Sequence, residues 1–250
     1  MQVELWNKRN GKFPTSRGRE EILHYLQYSL GDTLLPGTQI EGEWVRKHAT
    51  LYLFDITYLS FNPDRMQSVT PSAQDVRRGI TPATNGELNT ICVTKENESN
   101  LKVLEENQTL TRVDFVHEIP YHYPPNPCES SAEIVDLHPD DWRLELKLNG
   151  DRVQVIVQPE GSLMAMDLRK SQNEIRHGIL EKLVGAMDNP QIKLMPYTDS
   201  NYRRFYRDWQ DLCPEAEGVV AKYRDAPYIA GRGRAMTVDT WKKRRFCWDD

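Results

Sequence analysis

Residues 143–157 constrain the fold more than any other part of the chain. Leu144, Leu146, Leu148, Val153 and Val155 alternate with polar residues on both sides of Asn149-Gly150. Alternation at a period of two marks a half-buried strand, and Asn-Gly is a preferred two-residue link between hairpin strands. The spacing predicts a β-hairpin. With Asn149-Gly150 as its turn, Leu148, Leu146 and Leu144 face Asp151, Val153 and Val155. The other face sets Lys147 against Arg152 and Glu145 against Gln154. Two like charges directly opposite destabilise a strand pair. Two readings stay open. The stretch is a hairpin that only turns the chain, or it is an anion site where a neighbouring cation lowers the pKa of Lys147 and frees it as a nucleophile.

The rest of the chain reads as mixed α/β in two stretches. Val3 to Trp6 alternates like a strand and is broken at Asn10-Gly11 and Pro14. Ser16 is placed to cap a helix running to about Leu30, and strands are predicted over 38–45 and 50–58. Residues 61–133 are polar with weak periodicity, and PYHYPPNPC (Pro120 to Cys128) reads as an extended connector. The region is expected to be an insertion or linker, with no function assigned. Ser171-Gln-Asn-Glu174 reads as a capping box opening a helix with Ile175, Ile179 and Leu183 on one face. Tyr202, Phe205, Trp209 and Leu212 give a second amphipathic helix with an aromatic stripe expected in the core. Residues 217–222 read as a short strand.

Composition removes some functions. A chain of 250 residues has room for one large domain or two small ones. Its net charge of −5 argues against coating nucleic acid by bulk charge, yet leaves room for a local basic groove such as Lys242-Lys243-Arg244-Arg245. No apolar run is long enough to span a bilayer and no signal-peptide pattern is present, so no membrane partner and an intracellular setting, cytoplasmic or nuclear, are expected. The four cysteines are far apart without a CxxC pair, which argues against a zinc site or a disulfide framework. Oligomeric state is not readable.

Several charged stretches carry chemistry when taken together. Glu41 and Glu43 lie two apart in IEGEWV and project on one strand face; LYLFDI holds Phe54. EGVVAK puts Glu217 and Lys222 at the two ends of an apolar strand, and TWKKRRF is aromatic and basic. Each alone reads as exposed strand charge, core aromatic or solvated tail. Jointly they supply lysines and arginines for phosphate, carboxylates for Mg²⁺, a flat ring for a purine and a lysine nucleophile. That is a nucleotidyl-transfer site.

These stretches resemble the motifs of the covalent nucleotidyltransferase superfamily, which contains ATP-dependent DNA ligases, RNA ligases and mRNA capping enzymes. Lys147-Leu-Asn-Gly-Asp-Arg152 resembles motif I, Glu41-Gly-Glu43 motif III, Leu51 to Ile56 motif IIIa, Glu217 to Lys222 motif IV, and Trp241 to Arg245 motif V. WNKRNGK (Trp6 to Lys12) resembles the Arg-Asn-Gly turn of ligases, and AKYRDAPYIAGRGR (Ala221 to Arg234) the segment after motif IV in DNA ligases. The resemblance covers about 1–60 and 134–246. It implies an α+β fold, the ATP-grasp-like ligase adenylation fold, with antiparallel sheets flanked by helices. It also implies an ATP- and Mg²⁺-dependent DNA ligase domain acting on nicked DNA, or RNA, as in replication or repair. Lys147 would attack the α-phosphate of ATP and carry AMP. Glu145 would read the adenine edge, Phe54 would stack on the base, and Arg152 and Glu43 would hold the ribose. Glu217 and Glu43 would hold the metal. Lys222, Lys243 and Arg245 would meet the phosphates, and Arg9 the nucleotide or the 5′-phosphate of the nick.

The sequence departs from the family in order and in detail. The motifs run III, IIIa, I, IV, V instead of starting at I, so strand order must be rearranged for the sheet to form. Asn149 and Glu41 stand where the family has Asp, and Arg245 where it has Lys. The chain ends soon after motif V, so no C-terminal OB-fold is expected. A capping-type guanylyltransferase using GTP, and a non-catalytic nucleic-acid-binding relative, are the alternatives.

Overall fold

A computed structural model describes residues 2–12, 34, 36–60, 111–115, 119–130, 133–158, 163–187 and 189–246. In chain order the strands begin with β1 (Gln2–Asn7), β2 (Gln39–Val45), β3 (Thr50–Ser60), β4 (Thr111–Phe115) and β5 (Pro125–Glu129). There follow β6 (Trp142–Leu148), β7 (Asp151–Gln158), β8 (Leu163–Asp167), helix α1 (Asn173–Ala186), β9 (Ile192–Leu194) and β10 (Tyr197–Thr198). Helix α2 (Tyr202–Leu212), β11 (Ala216–Tyr223) and β12 (Met236–Arg245) complete the series. The fold is mixed α+β with mostly antiparallel sheets and, among the described residues, two α-helices. No helix among them is long and apolar enough to cross a membrane. The helix expected from Ser16 to Leu30 lies outside the described residues, as does 61–110.

The predicted hairpin is the main correction. β6 and β7 are strands, but they do not pair. β7 lies between β1 and β2 in a seven-stranded sheet of order β1-β7-β2-β3-β8-β4, with β9 beside β3. β6 lies between β10 and β11 in a five-stranded sheet of order β10-β6-β11-β12-β5. Asn149-Gly150 therefore passes the chain from one sheet to the other. Gly150 is required there, because a Cβ would stand 2.5 Å from the Trp44 carbonyl oxygen. Lys147 consequently opposes Gly218 on β11, and Arg152 opposes Glu43 on β2. Alternation specifies which face a side chain takes, but the strands are not half-buried: the polar residues Glu145 and Gln154 are buried as well, because each strand has a neighbouring layer on both faces. Alternation does not specify the neighbouring strand.

The two larger of three apolar clusters among the described residues follow from this split. Val3, Leu5, Ile40, Leu51, Leu53, Val153 and Val155 pack one face of the large sheet against Ile175, Ile179 and Leu180 of α1. Leu144, Leu146, Val219 and Trp241 of the small sheet pack with Val45 and Phe54 of the large one and with Tyr202 of α2. The sheets are tied by residues 191–198: β9 runs parallel to β3, Met195 N donates to Leu53 O at 2.8 Å, and Leu146 N donates to Pro196 O at 2.8 Å. α1 carries the apolar face expected of it, but no capping box. Its N-cap is Gln172 without a side-chain bond, and Glu174 instead accepts from Arg143 and Arg224. In α2, Tyr202 is buried and Phe205 and Trp209 are half-buried against the core, while Leu212 is 77% exposed.

The described parts of 61–133 are not linker. β4 forms an edge of the large sheet, and residues 119–129 form a strap from one sheet to the other. Ile119 is buried, with its N–H on Gln158 Oε1 at 2.8 Å. The Tyr121 hydroxyl donates to Asn7 O at 2.9 Å, and Pro125 O accepts from Arg152 Nη1 at 2.8 Å. β5 then runs parallel to β12. The prolines keep the segment extended, as the sequence implied, and the other residues give it partners.

Candidate active site

The two sheets enclose a cleft of about 550 Å³. Its small-sheet wall follows from strand alternation. Across β6, β11 and β12 the register sets Lys147 opposite Gly218 and Gly218 opposite Arg245. The next row on that face sets Glu145 opposite Val220 and Val220 opposite Lys243. Lys222 and Trp241 form a third pair. All of these except Gly218 line the cleft. The facing wall comes from the large sheet: Glu43 of β2, Phe54 of β3 and Arg152 of β7.

Two site residues stand at sheet irregularities. The β11–β6 register steps from Ala216 to Gly218 and skips Glu217. Strict alternation would turn Glu217 away from Gly218, Val220 and Lys222; a bulge re-aims it, so that its carboxylate pairs with the Lys147 ammonium. Gly218 permits this with φ 154°, and a Cβ there would stand 2.0 Å from Arg244 O. The β2–β3 register likewise skips Phe54, between Asp55 opposite Glu41 and Leu53 opposite Gly42.

Phe54 is surrounded by charge. Lys222 Nζ lies 4.7 Å and the Arg152 guanidinium 4.9 Å from its ring centroid, and Trp241 meets it edge-on at 6.3 Å. Lys222 is buried, pairs with Glu145 Oε2 at 2.7 Å and donates to Phe54 O at 2.8 Å. It is committed to holding Glu145 and Phe54 in place. Burial pushes the Glu145 carboxyl pKa up, against the pull of Lys222. Its second oxygen, Oε1, is buried with no hydrogen-bond partner, and so is Nε of Arg152. A buried polar atom without a partner costs about 1–3 kcal/mol, so this lining fits a ligand that brings both a donor and an acceptor.

Glu43 carries the clearest electrostatic signature. Burial pushes its carboxyl pKa up to about 7; Arg152 and Lys147 pull it down, and Glu217 raises it further. Glu43 and Glu217 are the carboxylates at this end of the cleft available to a divalent cation; among the described residues no group of three or more His, Cys, Asp or Glu converges to hold one. Mg²⁺ is usually held by one or two carboxylates together with substrate phosphates. Lys8, Lys147, Arg152, Lys222, Lys243 and Arg245 outnumber Glu43, Glu145 and Glu217 by six to three along the cleft, although the whole chain is negative. A low-dielectric cleft of that sign concentrates polyphosphate anions.

Lys243 and Arg245 reach the cleft, and Lys243 Nζ is paired with Glu129 of the strap at 3.0 Å. Arg9 does not line it. It stands exposed in the turn closed by Asn7 N on Gly11 O at 2.9 Å, and its neighbour Lys8 lines the cleft instead. Glu41 is fully buried behind the wall, where it accepts from Arg152 Nη2 at 2.5 Å, Gln154 Nε2 at 2.7 Å and the Tyr228 hydroxyl. Sequence reasoning missed Lys8, Asn126 and Trp241 as lining residues. Trp241 was legible, because it lies two residues before Lys243 and so shares its strand face. Asn126 carried no such signal.

No protein-family model matches the chain, and neither a curated protein nor a solved structure matches it.

Proposed function

We propose that this protein is an ATP-dependent, polynucleotide-ligase-like nucleotidyltransferase whose Lys147 carries AMP. The observation that carries the reading is convergence. Lys147, Glu145, Glu217 and Lys243 come from three strands of one sheet, and Glu43, Phe54 and Arg152 from three strands of the other, and all line one cleft. They do so although the sequence stretches that hold them run in a rearranged order.

The chemistry follows from the contacts. The Lys147 ammonium is held by Glu217, the carboxylate positioned to receive its proton. As a free amine, Lys147 forms an N–P bond with the α-phosphorus of ATP. The P–O bond to the β-phosphate breaks, and pyrophosphate leaves. Lys243 and Arg245 offset charge on the transferring oxygens. Glu145 Oε1 and Arg152 Nε are the buried groups available to the nucleoside, beside Phe54. Glu43 and Glu217 are the carboxylates for Mg²⁺, which when bound supplies positive charge to the phosphoryl oxygens. AMP then passes to a polynucleotide 5′-phosphate, and a 3′-hydroxyl displaces it.

The test is self-adenylation. The protein is incubated with Mg²⁺ and α-labelled ATP, or α-labelled GTP in parallel, and run on a denaturing gel. A label from ATP that is absent in Lys147→Ala is expected. A label from GTP alone means a guanylyltransferase. No label from either nucleotide, in a folded protein, means a relative without this chemistry.

A further inference from the structure

The tyrosine-bearing part of the strap, residues 121–123, has no role in the nucleotide reading, yet with Trp6 it sets an aromatic strip between two basic loops. Trp6 and Tyr121 are tilted at 34° with centroids 5.5 Å apart, and Tyr121 meets Tyr123 edge-on at 5.2 Å. All three rings are half-buried, so part of each reaches solvent. The Tyr121 hydroxyl is fixed on Asn7 O, which brings the strip against the turn holding Lys8 and Arg9. At the other end Gly231 N donates to Tyr123 O at 2.8 Å, which brings the strip against the exposed Arg232 and Arg234. Lys12 is neutralised by Glu4. Arg9, Arg232 and Arg234, by contrast, have no ion-pair partner among the described residues, and no hydrogen bond engages the Tyr123 hydroxyl there. From Tyr123 the strap continues through Pro125 to Asn126 and Pro127, which line the cleft.

We propose that this strip binds an unpaired polynucleotide strand leading to or from the cleft. Aromatic rings take bases by stacking, and flanking cations take the phosphates on either side. The bases of a duplex are stacked on one another and cannot reach such rings, so the occupant is single-stranded. The choice of ligand class rests on the polynucleotide-ligase reading, and the strip adds to it a surface outside the nucleotide cleft.

The test is fluorescence anisotropy with labelled oligo-dT and oligo-U of about 12 nucleotides, against a blunt duplex of the same length. No ATP is present, so strand binding and adduct formation are read separately. Preference for either single strand over duplex is expected, and the two oligomers distinguish DNA from RNA as the source. Tyr123→Ala is expected to weaken binding about five- to a hundred-fold, while Tyr123→Phe retains it. Arg232→Ser with Arg234→Ser, both at exposed positions, is expected to reduce the slope of log K against log salt by about 1–2. Circular dichroism checks that each variant is folded. Equal binding to duplex and single strand, or wild-type affinity and salt slope in folded Tyr123→Ala and the arginine pair, overturns the proposal even if Lys147 is labelled. Strand binding that depends on these residues in a protein that forms no adduct upholds the strip and overturns the ligase reading.

Discussion

Asp55 and Arg176 are both fully buried, joined by Nε to Oδ1 at 2.8 Å and Nη2 to Oδ2 at 3.3 Å. Nη1 of Arg176 also donates to Ser171 O at 2.5 Å and Ala226 O at 3.3 Å, so α1, β3 and the loop after β11 meet on one guanidinium. Removing one partner of such a pair strands the other charge. Asp55→Ala is therefore expected to cost about 3–5 kcal/mol in urea unfolding, and a loss below about 1 kcal/mol would show the arginine finding water instead. In the sequence Asp55 is a single charge in the apolar stretch LYLFDI. Its partner lies 121 positions away, and no local spacing points to it. That Lys147, Glu217 and Phe54 share a cleft was legible from their residue types and motif-like settings. That Lys222 is spent on Glu145 and Phe54 was not legible, because side-chain partners across strands depend on register.

At the scale of elements, the bulge at Glu217 decides whether the site exists. It needs Gly218, whose missing Cβ is replaced by the close approach of Arg244 O and Arg245 Cα, both backbone atoms that cannot swing aside. Gly218→Ala is expected to lose about 1–3 kcal/mol by overpacking and to lower Lys147 labelling, because β12 is pushed away and Glu217 loses its aim. Denaturant melts and the labelling gel read the two effects; unchanged labelling would mean that the bulge does not position Glu217. Strand existence was readable here and bulges were not. A bulge is set by how two strands fit, and the alternating pattern of one strand says nothing of its neighbour. The same limit explains why residues 143–157 gave two correct strands and a wrong pairing.

For the molecule as a whole, the buried His177 and the half-buried His122 weigh on stability in acid. Burial pulls His122 down to about 4, helped by Arg169, and His177 down to about 2, helped by Arg143, Lys222 and Arg224. Their folded pKa values lie below the unfolded value near 6.5, so the unfolded chain binds more protons in that interval. The histidines' share of stability is full above about pH 6.5 and falls as pH drops, by about 1.4 kcal/mol per pH unit for each; Glu43, raised to about 7 in the fold, works the other way between about 4.5 and 7. Over about pH 6.5 to 4.5 the thermal midpoint of His177→Gln is expected to fall less than that of the unaltered protein; an unchanged pH dependence in that variant would take His177 out of the acid response. Neither histidine stood out in the sequence. A lone histidine reads alike in water and in a core, and only packing distinguishes the two.

Asn149-Gly150 also has a mechanical meaning. Lys147 and Arg152 are five positions apart on consecutive strands, yet each reports the position of a different sheet. The two strands are thus the arms of a pair of callipers, with the pivot pinned where Gly150 rests on Trp44. Any rocking of one sheet against the other changes the gap between the tips. The width of the cleft and the relative tilt of the two halves are one coordinate, and a ligand that grips both tips sets the tilt.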